Sequence, residues 1–199
     1  MPPKAKYTRE EIVNIALDLV AAHGTSALNA RSLGAALGTS TRPVFTAFKS
    51  MGELLEEVRT AAMERFNEYV NTNVIQPPFK NVGMKMVRFA AEQPKLFQLL
   101  YMSENENTRG FDGVFDELGE NSGKCIEYIM RDYVMNHEDA MKLFRSVWLY
   151  TFGIGVMIAS KVCQFDENEV SDMLSNQFLA VIRFIKSGSP ANPMIGNPD

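Results

Sequence analysis

The sequence is poor in cysteine and lacks a long apolar run. Cys125 and Cys163 are the only cysteines among 199 residues, which excludes a disulfide-stapled scaffold and favours a reducing compartment. The longest apolar stretch, Val147 to Ser160, is shorter than the roughly 20 residues that span a bilayer, so we expect a buried helix there. The first residues contain no apolar stretch typical of an export signal. We therefore expect a cytoplasmic protein without a membrane partner.

Residues that carry catalysis or bind metals are also scarce. The two histidines, His23 and His137, have no suitably spaced metal ligand or nucleophile in the sequence. Neither cysteine belongs to a CxxC motif, and the sequence contains no glycine-rich phosphate loop. These absences argue against an enzyme, and we expect no catalytic residue, no metal site and no cofactor.

Charge is divided unevenly along the chain. The formal net charge is −4, which taken alone argues against a nucleic-acid partner. Residues 1–50, however, contain six basic and three acidic side chains, so this part carries +3 and the remainder −7. A basic front joined to an acidic body suggests that one part meets a polyanion and the other does not.

Helix signals occur throughout the chain, and no stretch alternates in hydrophobicity as a β-strand does. Three pairs have the spacing of a capping box, which marks the start of a helix: Thr8 with Glu11, Ser50 with Glu53, and Asp166 with Glu169. We expect an all-α fold of about nine helices, with a three-helix N-terminal head and a larger C-terminal helical domain.

Prolines, glycines and caps set the expected boundaries. Asn81 is expected to open a helix after the two prolines 77 and 78, and two long helices are expected over Phe111–Val134 and Asp139–Gln164. The expected parts of the chain are a head (1–50), a connecting fourth helix (51–78), a C-terminal domain (79–187) and a flexible tail (188–199).

Two short helices that follow helix one match the helix-turn-helix arrangement, whose second short helix enters the DNA major groove. Asn29 is expected to cap the first of them, Gly38 permits the tight turn, and Ser40 caps the reading helix, Thr41–Phe48. Four apolar side chains are expected to hold the pair at a fixed angle: Leu33, Leu37, Val44 and Phe48.

The outward side chains of the reading helix suit contacts with duplex DNA. Arg42, in the first turn, has the chemistry to pair with guanine through two hydrogen bonds or to clamp a phosphate. Pro43 fits a first turn but disfavours helical angles at Arg42, so we expect an irregular start. The expected DNA-contacting residues are Arg31, Thr39, Ser40, Thr41, Arg42, Phe45, Thr46 and Lys49. Spacing and charge alone leave open whether this helical pair binds DNA.

Residues 31–40 (RSLGAALGTS), Val44–Phe48 and Glu53–Leu55 resemble the DNA-binding segment of the TetR/AcrR family of bacterial regulators. The resemblance implies a homodimer that binds a palindromic operator in double-stranded DNA and usually represses transcription until a small-molecule effector enters the C-terminal domain. It also implies dimerisation through the last two helices of each chain. The domain at 79–187 is accordingly expected to bind the ligand and to dimerise.

Three positions depart from the usual pattern of that family. Phe45 stands where tyrosine is usual, Met51 where lysine is common, and Pro43 where small hydroxyl or aliphatic residues are typical. Together with the acidic net charge, these departures keep a second hypothesis open. In that hypothesis the chain is a helical small-molecule- or partner-binding protein whose head has lost operator affinity.

Aromatic residues of the C-terminal domain are the candidates for a ligand pocket. At helical spacing such residues more often pack in a core, so we expect roughly a third of them to touch a ligand, which would be apolar or amphipathic. The candidates are Phe89, Phe97, Tyr101, Phe111, Phe115, Trp148 and Phe152. Gly153, Gly155 and Ala159 favour close helix approach, either across a dimer interface or within one subunit.

Overall fold

The computed structural model describes residues 7–104, 110–111, 113–114 and 120–188, and these residues form an all-α fold. Within them, nine α-helices have defined bounds: α1 (Arg9–His23), α2 (Ala30–Ala36), α3 (Arg42–Ala47), α4 (Met51–Asn71), α5 (Pro78–Glu92), α6 (Pro94–Tyr101), α7 (Glu120–Tyr133), α8 (His137–Ala159) and α9 (Glu167–Lys186). A 3₁₀ turn, Thr25–Ala27, follows α1. The described residues contain no β-strand, and the expected fold class is confirmed.

Reciprocal side-chain caps fix the starts of two helices as expected. At α1, the Thr8 hydroxyl oxygen accepts a hydrogen bond from the Glu11 N–H (3.1 Å), and the Glu11 carboxylate accepts one from the Thr8 N–H (2.7 Å). The same arrangement joins Asp166 and Glu169 at the start of α9. Each pair satisfies backbone donors that a helix start leaves free, so the caps define where these helices begin.

Two predicted helix boundaries are wrong by three residues or more, each for a local reason. α5 begins at Pro78 rather than Asn81, because proline suits a first turn, where its missing N–H costs no hydrogen bond. α8 ends at Ala159 rather than Gln164, and Lys161 adopts a left-handed φ of 59° with which a right-handed helix does not continue.

Two further predictions fall partly outside the described residues. Of the helix expected over 111–134, α7 supplies the second half, and residues 115–119 lie outside the described part of the chain. Of the tail expected at 188–199, only residue 188 is described.

One continuous core joins the head to the C-terminal helices. α1 packs against α2, α4 and α6, while α5 and α8 pack together and both contact α7 and α9. α4 buries apolar side chains along its length, from Leu54 and Val58 to Phe66 and Val70. Because α4 contributes to the core at both of its ends, it connects the head mechanically to the C-terminal domain.

Close packing of α6 against α8 depends on a glycine. A Cβ built at Gly155 would lie 2.7 Å from Phe97 Cζ, and Phe97 is fully buried. Ala159 is also buried, whereas a Cβ built at Gly153 would meet no atom within 4 Å. Gly155 therefore serves close packing inside the subunit, and Gly153 faces open space.

The apolar stretch from Val147 to Ser160 forms the second half of α8 and the C-cap residue that follows it. Val147 and Ile154 are buried there, as expected for a core helix. Among the described residues, no helix combines the length and the apolarity needed to cross a membrane.

Candidate nucleic-acid interface and ligand cavity

Helices α2 and α3 form the helix-turn-helix expected from the sequence. At the start of α2, the Asn29 side-chain oxygen accepts a hydrogen bond from the Ser32 N–H (3.0 Å), and Gly38 in the turn has a left-handed φ of 61°. The four apolar side chains expected to hold the pair are all buried: Leu33, Leu37, Val44 and Phe48. Their burial fixes α3 relative to α2.

A close backbone approach at Gly34 holds the turn against α2. A Cβ built at Gly34 would lie 3.2 Å from the Thr39 carbonyl oxygen and 3.3 Å from the Ser40 carbonyl carbon. The Gly34 carbonyl also accepts a hydrogen bond from the Thr39 N–H (3.0 Å). A side chain at this position would push the turn away from α2. Nothing in the sequence singles out Gly34, because a glycine inside a helix signals only lower helix propensity.

α3 begins one residue later than predicted, at Arg42, so the departure of Arg42 from helical geometry that Pro43 predicted is not seen. Thr41 occupies the N-cap position in helical angles without a side-chain cap, and Arg42 is the first helical residue. Ser40, predicted as the cap, still contributes, since its hydroxyl oxygen accepts a hydrogen bond from the Arg42 N–H (3.4 Å). Pro43 is tolerated because the N–H that it lacks is one that a first turn leaves unpaired.

The eight residues predicted to contact DNA all lie at the surface of the head. Thr39 and Thr41 are partly exposed, and the other six are exposed: Arg31, Ser40, Arg42, Phe45, Thr46 and Lys49. Phe45 is 54% exposed, although it is a large apolar residue. Within the described part of the chain, neither Arg31 nor Arg42 forms an ion pair. Both guanidinium groups therefore keep their donors available for an external anion or base edge.

Arg9, the first residue of α1, ties the end of α3 to the start of α4. Its side chain donates hydrogen bonds to the carboxylates of Glu53 (2.6 Å) and Glu57 (2.9 Å) and to the Ala47 carbonyl oxygen. Its guanidinium carbon lies 4.2 Å from the centre of the Phe48 ring, a cation–π distance. The sequence alone indicates only a basic charge at Arg9, because the partners of this side chain lie about 40 residues away in the chain.

Glu53 forms only half of the capping box that the sequence predicts, and its carboxylate has other partners. The Ser50 hydroxyl oxygen accepts a hydrogen bond from the Glu53 N–H (3.1 Å), as the predicted capping box requires. The Glu53 carboxylate, however, accepts from the Lys49 N–H (2.6 Å) rather than from Ser50, so the second half of the predicted box is wrong. The hydrogen bond from Arg9, and then the one from the Lys49 N–H, lower the pKa of Glu53.

A second contact fixes the turn to the N-terminal end of α1. The Tyr7 hydroxyl donates a hydrogen bond to the Leu37 carbonyl oxygen, next to Gly38. Since Tyr7 contacts the turn before α3 and Arg9 contacts the last residue of α3, the start of α1 positions α3 at both of its ends. The head thus presents α3 on a rigid support.

A cavity of about 440 Å³ lies among α4, α5, α7, α8 and α9. This size falls within the roughly 300–1,000 Å³ typical of small-molecule sites. Aromatic and aliphatic side chains form most of its wall, including Phe66, Val70, Phe79, Met86, Tyr133, Phe144, Val147, Trp148, Leu174 and Phe178. The cavity is suited to an apolar molecule or to the apolar part of a larger one.

Two polar side chains at the cavity wall, Asn121 and Lys80, are hydrogen-bonded to other side chains. Asn121 donates to the Asn67 side-chain oxygen (2.6 Å) and accepts from the Asn71 amide (2.7 Å). Lys80 donates to the hydroxyl oxygens of Ser171 (2.7 Å) and Ser175 (2.8 Å).

The seven aromatic residues predicted to bind a ligand have different positions in the structure, and one of them lines the cavity. Trp148 lines the cavity, and Phe152 stacks on it at 5.2 Å between ring centres without lining the wall itself. Phe89 and Phe97 are fully buried core residues, Tyr101 packs against Phe97, and Phe111 is exposed. Phe115 lies outside the described residues.

Other aromatic residues line the cavity although the sequence did not single them out. Phe66 comes from α4, Phe79 from α5, Phe144 from α8 and Phe178 from α9. In the sequence each belongs to an ordinary apolar stripe, and only the packing of five helices shows that it faces a void.

Groups typical of catalysis do not come together in the described part of the chain. No cluster of three or more histidine, cysteine, aspartate or glutamate side chains there has the geometry to hold a metal ion. Cys125 is buried at the cavity wall, and burial raises the pKa of its thiol to about 12. It is therefore a protonated, unreactive thiol at neutral pH.

Solved structures of two bacterial proteins share this fold. One, described as a TetR-family transcriptional regulator from Vibrio parahaemolyticus, is 17% identical, with 86% of this chain and 97% of that chain covered at a TM-score of 0.57. The other, described as a TetR-family regulator from Mesorhizobium loti, is 13% identical, with 88% and 95% covered at a TM-score of 0.59. No family model and no curated protein matches the sequence. The chain therefore has the fold of these regulators.

Proposed function

We propose that this chain is a ligand-responsive, DNA-binding transcriptional regulator of the TetR family, and most simply a repressor. The observation that carries the proposal is the exposed α3 of a rigid helix-turn-helix, with Arg42 in its first turn and without an ion-pair partner in the described structure. The fold shared with two proteins described as TetR-family regulators supports it. Because those proteins are described as regulators, the likeness also favours a protein that is not an enzyme.

The side chains of the head match the chemistry of a DNA major groove. Arg42 is suited to donate two hydrogen bonds to a guanine, and Phe45 offers an apolar surface to a thymine methyl group. Arg31 and Lys49 are exposed cations suited to phosphates, with the hydroxyls of the turn beside them. This surface lies in the part of the chain that carries net positive charge.

A homodimer would place two such heads on one palindromic site. The major grooves that two heads read on one face of DNA lie about 34 Å apart, so two linked copies of α3 bind more tightly than one. α8 and α9 carry exposed apolar side chains suited to such an interface, including Leu149 (52% exposed) and Phe184 (53% exposed). A symmetric contact through these helices is the dimer that we propose.

α4 offers a route by which a ligand in the cavity would act on the head. Phe66 and Val70 of α4 line the cavity, and Glu53 and Glu57 near its other end hold Arg9. A ligand that favours a different position of α4 would change the separation of the two heads in the dimer. To convert a population that mostly binds DNA into one that mostly does not, the ligand must bind the second conformation more favourably than the first by about 5 kcal/mol.

Selection of duplex DNA from a random pool, followed by a salt titration, tests the proposal. We expect a selected palindrome to bind in the nanomolar range, and its affinity to fall steeply between about 50 and 200 mM salt as phosphate contacts release counterions. A scrambled duplex of the same composition serves as the control. If no sequence is enriched, or if binding does not depend on salt, the head is not a DNA-binding module.

A second candidate is a helical small-molecule carrier whose head has lost operator affinity. The exposed Phe45 ring favours it, because this position lacks the hydroxyl that the resembled family usually carries there. The carrier would bind ligand in the cavity and show no preference for the selected palindrome. Either function is compatible with the cytoplasm, where the described free thiols of Cys125 and Cys163 would stay reduced.

A further inference from the structure

Lys80 is the only charged side chain among the described residues that line the cavity. Its ammonium group donates to two hydroxyl oxygens, those of Ser171 (2.7 Å) and Ser175 (2.8 Å). No carboxylate lies in the described lining. The hydroxyl groups solvate the ammonium but do not neutralise it, so this end of a cavity whose other described lining residues are uncharged carries a positive charge without a carboxylate partner in the lining.

The position of Lys80 in its helix strengthens this conclusion. Lys80 is the third residue of α5, where the helix dipole favours a negative rather than a positive group. The first turn of α5 contains no acidic residue and has no side-chain cap. A cation here opposes the local preference of the helix dipole for a negative group.

The cavity wall places this charge beside the opening and the apolar surface inside. Pro77 and Leu179 are the exposed lining residues nearest in sequence to Lys80 and Ser175, and they mark the mouth. Phe66 and Trp148 are buried and form the inner wall. A partly exposed cation near the mouth and a buried wall that is mostly apolar suit an amphipathic molecule whose head group remains close to solvent.

We propose that the cavity binds an amphipathic carboxylate, with its anionic head on Lys80 and Ser175 and its apolar part against Phe66 and Trp148. The proposal deepens the regulator function by giving the chemical class of its effector. Aliphatic and aromatic acids share this chemistry, and both are compatible with the mostly aromatic wall.

Isothermal titration calorimetry with three amphiphiles that share one tail tests the head-group preference without DNA. The probes are dodecanoate, dodecanol and dodecyltrimethylammonium, each kept below its micelle concentration, with naphthoate as a compact aromatic acid. We expect a carboxylate to bind at least about tenfold more tightly than dodecanol, as a charged hydrogen bond predicts. The cationic amphiphile should bind least well. Dodecanoate and naphthoate distinguish an aliphatic from an aromatic source.

Substitutions in α5 test whether the head-group preference arises from Lys80. Lys80→Met should weaken carboxylate binding about tenfold or more and leave dodecanol binding nearly unchanged. Lys85→Met removes the same charge from the same helix at a residue outside the lining, and should bind carboxylates as the unmodified protein does. Lys80→Glu should reverse the preference in favour of dodecyltrimethylammonium, and helical circular dichroism of each variant establishes that it is folded.

The outcomes separate this inference from the regulator proposal. Equal binding of all three head groups, carboxylate binding that survives Lys80→Met, or no binding of either acid overturns the inference. None of these results bears on operator binding by the head. Conversely, a head that binds no DNA leaves the calorimetric prediction intact, because the cavity is measured in the free protein.

Discussion

The guanidinium carbon of Arg9 lies 4.2 Å from the centre of the Phe48 ring, across the junction between α3 and α4. Phe48 is buried directly after α3, and the same guanidinium group reaches Glu53 and Glu57 on α4. One side chain therefore fixes the end of the proposed reading helix, the start of the connecting helix and the beginning of α1. The position of α3 depends on this junction as well as on the apolar contacts inside the head.

The Arg9–Glu53 pair predicts a specific loss of stability in acid. Arg9 lowers the pKa of Glu53 below its ordinary value of 4.5, so the pair stabilises the fold fully above that pH and loses this contribution as the pH falls through the lowered pKa. We expect the melting temperature to fall more steeply from about pH 6 to about pH 3 in the unmodified protein than in Glu53→Gln. Circular dichroism measures both curves. Glu56→Gln, at an exposed site of the same helix, is the control, and parallel curves for Glu53→Gln would contradict the prediction.

The close approach of the turn backbone to Gly34 predicts that a side chain at this position is unfavourable. Gly34→Ala should destabilise the protein by about 1–3 kcal/mol, because the new methyl group meets the turn backbone at 3.2 Å, and should weaken DNA binding. Gly52→Ala in the first turn of α4 is the matched control, since its Cβ would meet only Ser50 Oγ at 3.6 Å. That substitution should stabilise the helix by about 0.5–1 kcal/mol. Denaturant unfolding measures the free energy of unfolding of both variants. Equal changes in the two variants would contradict the prediction, because they would show that the close backbone approach at Gly34 does not affect stability.

The two cysteines should differ sharply in reactivity. Burial raises the pKa of Cys125 to about 12, so almost no thiolate exists at about pH 8, whereas Cys163 is partly exposed. We expect a thiol reagent to label Cys163 rapidly and Cys125 only after denaturation, as mass spectrometry of the labelled peptides would show. Rapid labelling of Cys125 in the native Cys163→Ser variant would mean that the cavity wall opens readily.

The proposed dimer predicts that charge on the outer faces of α8 and α9 separates the subunits. Leu149→Arg and Phe184→Arg should each convert a dimer into a monomer by light scattering, because an unpaired charge would be buried at the interface. Val134→Arg and Val162→Arg, at exposed positions outside the helices, are the controls and should leave the mass unchanged. A monomeric unmodified protein, or dimers that survive both interface substitutions, would contradict the proposed interface.

The head was predictable from the sequence because its signals are local. The cap at Asn29, the turn at Gly38 and the buried positions Leu33 and Val44 all lie within a short segment, and the structure confirms each of them. Gly34 and Arg9 were missed because their roles depend on contacts across the turn and across the chain.

The cavity was predictable only in its general character. An aromatic wall was expected, but whether a given ring faces a void or fills the core depends on how five helices pack. Trp148 and Phe97 illustrate the difference, because both stand in similar apolar stripes and only Trp148 lines the cavity. Lys80 was not singled out either, since one lysine near a helix start carries no signal until the surrounding wall is known.

The most direct test of the account is the affinity of Arg42→Ala for the selected palindrome and for a scrambled duplex, measured by fluorescence anisotropy at one salt concentration. If α3 reads base edges through Arg42, the substitution should cost about 1–3 kcal/mol on the palindrome and much less on the scrambled duplex, whereas Lys49→Ala should weaken both alike. If Arg42→Ala binds both duplexes as the unmodified protein does, α3 is not the reading helix and the proposed regulator function is contradicted.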